Sequence, residues 1–147
     1  MAKPMAPDDI LRACGYLEAM WREDQAAMDT LLQHRPGETP TATLLTDLGE
    51  NILQVLLPGQ FGITDDMSAG ELAAAEEEFF ADPTVRVSGV LLGTLKAFAD
   101  GATPAQTEII GRAVISFLVA LSDTTEDDVL PLLATVRRGA LEQYGTT

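Results

Sequence analysis

The chain has 147 residues, enough for one domain that buries about 70% of its unfolded surface without a disulfide or metal. With 46% hydrophobic and 22% charged residues it reads as globular, which excludes a disordered chain. Twenty-three acids against 9 bases leave a formal charge of -14, which argues against direct nucleic-acid binding and against docking on anionic lipid.

The opening segment, residues 1–7, has one lysine, two prolines and no apolar run, so it reads as a flexible tail and not as a secretory signal. Asp8 or Asp9 then caps a first helix that extends to Gln33, before Arg35-Pro36-Gly37. Ile10, Cys14, Leu17, Trp21, Met28 and Leu31 form its apolar stripe, with Asp24 standing at the missing position. A second helix opens on Thr39-Pro40 and closes at Pro58-Gly59. Its expected buried stripe is Leu44, Leu45, Leu48, Ile52, Val55 and Leu56.

Ser68 and Glu71 make a capping box for a short third helix to about Ala81, carrying Leu72, Phe79 and Phe80. Asp82-Pro83 opens a fourth helix that Gly101 stops, with an extended start at Val85 and Val87 as the competing reading. Thr103 and Gln106 form a second capping box for the fifth helix. Thr125, followed by Glu126, Asp127 and Asp128, opens the sixth, where the helix dipole favours acids. Pro131 either starts the regular part of that helix or bends its first turn. The expected fold is all-α, a single domain of about six helices bundled together.

Two helices carry expectations about packing. The fifth is apolar nearly all round, with Ile115 and Val119 covering what the main face leaves and Glu108, Arg112 and Ser116 as its polar strip. Such a helix belongs in the middle of a domain or at a subunit contact. In the fourth, Gly89, Gly93 and Ala97 form a smooth ridge, expected to receive the fifth helix at close range. The apolar stripe beside it is Val87, Leu91, Leu95 and Phe98. Both features point to helix packing or to a homodimer contact.

Chemistry-bearing residues are few. One histidine, His34, cannot head a histidine metal site, and Glu-x-x-His is absent. Asp47 and Glu50 stand at i, i+3, a spacing that acidic helices reach by chance. Cys14 is expected as a reduced core thiol, about 30 Å from His34 if one helix joins them. Tyr16, Met20, Trp21 and Met28 fit ordinary core packing better than a ligand pocket. Arg137-Arg138 reads as compensation for the last helix's dipole. No catalytic residue, cofactor or metal is expected. What stands out is the segment 65–82, with seven acids and no base, and within it Asp65, Asp66, Glu76, Glu77 and Glu78 as a docking surface for a basic protein partner. The expected function is that of a non-enzymatic, cytoplasmic interaction or regulatory protein. The alternative is a small-molecule domain with a pocket between helices.

Overall fold

The computed structural model describes residues 4–145, with the side chains of Leu56 and of residues 143–145 outside the description. The expected tail residues 1–3 lie outside those described, as does the side chain of the expected stripe position Leu56. Seven α-helices and one short 3-10 turn follow one another, with no strand among the described residues. They are α1 (Pro7–Trp21), α2 (Gln25–Leu32), α3 (Thr41–Gln60) and α4 (Ala69–Ala81), then α5 (Pro83–Ala99), α6 (Pro104–Ser122) and α7 (Val129–Gly145). The domain is all-α. Met5 packs against the core and Pro7 opens α1, so part of the expected tail belongs to the fold.

The expected first helix is two helices. Glu23 has a left-handed backbone (φ 58°), its N–H bonds the Met20 carbonyl, and the Asp24 N–H bonds that of Ala19. This is the usual double hydrogen bond of a helix C-terminus, made with glutamate where glycine is common. Asp24 then caps α2, accepting from the Ala27 amide at 3.1 Å. Both capping boxes form, at Ser68/Glu71 and at Thr103/Gln106, and Asp82 caps α5 through the Thr84 amide at 2.8 Å. That cap makes Val85 and Val87 helical, not extended. Pro40 is the N-cap of α3, one residue later than expected, and Pro58 lies inside the helix near its end. A 3-10 turn (Glu126–Asp128) precedes α7, so Pro131 falls in the first turn of the regular helix.

Around α1 the core is built with α3, α6 and α7, while α5 lies mainly against α3 and α4 rests on α5. Leu17, Leu45, Leu48, Leu53, Ile110, Val114 and Leu118 are fully buried. In α3 the buried stripe continues through Leu53 and Leu57, whereas Val55 is exposed, which corrects its expected place in the core. α6 is long and apolar enough to cross a membrane by length and composition, but Ile110, Val114, Ile115 and Leu118 are core residues of this domain. Ile115 therefore serves packing within the chain and offers nothing to a second copy; Val119 is half-buried.

Close helix approach occurs elsewhere than at the expected ridge. A Cβ on Gly111 would stand 2.9 Å from Met20 Sδ and 3.3 Å from Leu17 Cδ2, where α1 crosses α6. One on Gly49 would stand 3.2 Å from Val114 Cγ1, where α3 meets α6. At Gly89 and Gly93 a Cβ would meet nothing within 4 Å, and Ala97 is exposed beside them. The ridge is open, and the expected close approach of the neighbouring helix does not occur there. Gly93→Ala should stabilise the domain by about 0.5–1 kcal/mol, because the helix gains propensity and nothing has to move. Urea unfolding should show a raised midpoint; a lowered one would mean that the ridge is covered.

Candidate functional site

Candidate chemistry in the core dissolves on inspection of its geometry. Cys14 is fully buried, and that burial pushes its thiol up to about 11, with Arg137 opposing and Glu18 adding to the rise. A thiol so held is neutral and unreactive near neutral pH. The break at Glu23 removes the continuous helix that was to separate Cys14 from His34, but the two differ in environment. His34 is exposed at the end of α2, with Nδ1 3.4 Å from the Leu32 carbonyl. Tyr16, Met20 and Met28 are buried core residues and Trp21 is half-buried against them. The Tyr16 hydroxyl is buried without a hydrogen-bond partner among the described residues, and burial, with Glu108 nearby, pushes it up to about 12. Arg137 reaches Glu18, which also pairs with Arg22 at 2.8 Å. It ties α7 to α1 from mid-helix and does not serve the helix end.

The acid pair Asp47 and Glu50 is already engaged. Lys96, reaching across from α5, makes an ion pair with Glu50 and stands 3.6 Å from Asp47. The bond to Glu50 raises the lysine's pKa above its ordinary value. These carboxylates are therefore committed to joining α3 to α5. Among the described residues no three histidine, cysteine or acidic side chains converge as a metal site.

Beside this ion pair lies an open groove of about 260 Å3 between α3, α4 and α5. Leu53 and Leu57 form one wall, Phe79 and Phe80 another, and Gly89, Leu92 and Gly93 the floor along α5. The open glycine ridge is thus part of the groove: without side chains there, the floor stays low. Lys96 and Glu50 close the end reached by the C-terminal half of α5. Phe79 is fixed by an edge-to-face contact with Phe61, ring centres 5.3 Å apart. Phe80 packs on Phe79 at 5.1 Å but remains 66% exposed.

The acidic segment divides by role. Glu71 completes its capping box, Asp82 caps α5, and Asp66 accepts a hydrogen bond from Thr64 that lowers its pKa. Asp65, Glu76, Glu77 and Glu78 are exposed. At about 100° per residue, Glu76 and Glu77 fall some 40° and 60° from Phe80 on the helix wheel, whereas Glu78 points away. Two expected docking acids thus flank the exposed ring at the groove's edge. The groove itself was hidden from sequence, since Leu53 and Leu57, Phe79 and Phe80, and Val85 and Leu92 meet only through the packing of three helices. Comparisons with protein-family models, with curated proteins and with solved structures found no match.

Proposed function

We propose that this is a non-enzymatic interaction protein of the cytoplasm that binds a basic, amphipathic partner helix in the groove between α3, α4 and α5. The observation that carries the reading is the exposed Phe80 over an apolar floor, flanked on its own helix by Glu76 and Glu77. Apolar anchors entering the groove would supply affinity, and lysines or arginines along the partner would meet the acidic edge. The single cysteine, buried and unpaired, suits a reducing compartment. A small-molecule site is less well supported. The groove's charged groups, Glu50 and Lys96, are spent on each other, so few polar groups converge to orient a ligand.

The test uses a labelled synthetic amphipathic helix with leucine on one face and lysine on the other, titrated against the full chain. Replacing Glu76, Glu77 and Glu78 by glutamine should weaken binding at least about tenfold. Phe80→Ser should weaken it as much by removing the apolar contact. A charge-matched control, with Glu126, Asp127 and Glu142 neutralised, should retain affinity. Equal losses in the control and in the α4 variant would reduce the effect to bulk charge and overturn the reading.

A further inference from the structure

The lines of residues that form the groove run on past the ion pair at its end. Phe61, just after α3, holds Phe79, which shortly precedes α5, while Lys96 near the end of α5 reaches Asp47 and Glu50 in the first half of α3. The two helices therefore run antiparallel, with the groove along both. On α5 the floor positions Gly89, Gly93 and Lys96 recur at helical spacing, and the next position on that line is Asp100, exposed at the C-cap. On α3 the lining positions Leu57, Gln54 and Glu50 lead in the same way to Asp47, which is half-buried. A turn back along α3 and a turn forward along α5 leave the groove by the same end. Asp47 and Asp100 thus stand at the two sides of that end.

This end is acidic despite its lysine. Lys96 bonds Glu50 and stands 3.6 Å from Asp47, so one ammonium faces two carboxylates and one negative charge is left over. Asp100 has no ion pair among the described residues and adds a second. At the opposite end Glu76 and Glu77 flank Phe80, and between the ends lie Leu53, Leu57 and Leu92. From Val85, beside the phenylalanines, to Asp100 the rise along α5 is about 22 Å.

Resting on the reading of the groove as a dock for a basic helix, we infer that it selects its partner by both ends. Glu76 and Glu77 take one group of lysines or arginines, and Asp47 and Asp100 take a second. The partner helix therefore carries cations at each end of its apolar row, about 15 residues apart. Asp47 and Asp100 set specificity: a helix with cations at one end only leaves one acidic end of the groove unmatched.

Two labelled synthetic helices of equal length, composition and leucine face, titrated against the full chain, test this. One carries two lysines at each end, and the other carries all four at one end. The wild type should bind the two-ended helix about fivefold or more tighter. The variant with Asp47→Asn and Asp100→Asn should keep its helical circular dichroism and lose that preference, while its affinity for the one-ended helix stays within about twofold. Neutralising Glu126 and Asp127 instead should leave the preference intact. Equal binding of the two helices by the wild type would overturn the inference, as would a preference that survives in the double variant. In either case the groove reading still stands if binding weakens on loss of Glu76 and Glu77. A chain that binds neither helix would overturn both.

Discussion

Leu17→Ala is expected to cost about 2–5 kcal/mol, the usual range for truncating a fully buried leucine whose cavity collapses only in part. Leu17 has no exposure and sits where α1 crosses α6, its Cδ2 within 3.3 Å of the place a Cβ on Gly111 would occupy. The two helices pack closely at this crossing, so the space left by the leucine is refilled only in part. Against a total stability of about 5–15 kcal/mol for a domain, the loss is large. The reciprocal change, Gly111→Leu, should cost about 1–3 kcal/mol by overpacking. Chemical denaturation reads both. Near-neutral outcomes would mean that α1 and α6 do not meet closely.

The second large effect is alkaline destabilisation. Burial raises Cys14 from an ordinary 9.0 to about 11 and Tyr16 from 10.0 to about 12. Each group holds its proton more tightly folded than unfolded. Its contribution is therefore whole below the unfolded value and is lost as pH rises through the folded one. Lys96 shifts in the same direction, through its bond to Glu50. Cys14 and Tyr16 contribute about 2–3 kcal/mol each across the window from about pH 9 to about 12. Stability measured by urea unfolding should be flat from neutral pH to about 8.5 and fall steeply above it. In Cys14→Ala the fall should begin about one unit later, since tyrosine alone remains to titrate in the core. A profile that stays flat to pH 11 would contradict the burial of both groups.

The parts of this fold that could be read from sequence are those decided within a few residues. Ser68 with Glu71, Thr103 with Gln106, and Asp82 before Pro83 each satisfy helix amides locally, so their helices start where the residues say. The Glu108–Arg112 pair, at 3.0 Å, is equally local. The break after Trp21 was illegible because Glu23 takes the left-handed position that glycine would have advertised. Only the gap in the stripe at Asp24 hinted at it.

Faces were harder to read than elements. α5 is apolar in most directions, and periodicity alone could not choose between Val87, Leu91 and Phe98 and the set Leu92, Leu95 and Ala99. A rotation of about 100° separates the two, and the position of α3 decides it. The same choice turned Gly89 and Gly93 from a packing ridge into the floor of a groove. Of the expected docking acids, Glu76 and Glu77 gain a place beside an apolar opening, while Asp66 is engaged with Thr64. The acids could be found in sequence because they cluster there; the opening is assembled from residues as far apart as Glu50 and Lys96.

The proposal that α4 docks a basic partner is tested most directly by the dependence of binding on ionic strength. Affinity for the leucine-lysine helix should be measured from low to high salt for the wild type and for the variant with Glu76, Glu77 and Glu78 all replaced by glutamine. If those acids meet the partner's cations, the logarithm of affinity should fall steeply with salt for the wild type and much less steeply for the variant. Identical slopes for the two proteins would contradict the account, because the acids of α4 would then take no part in binding.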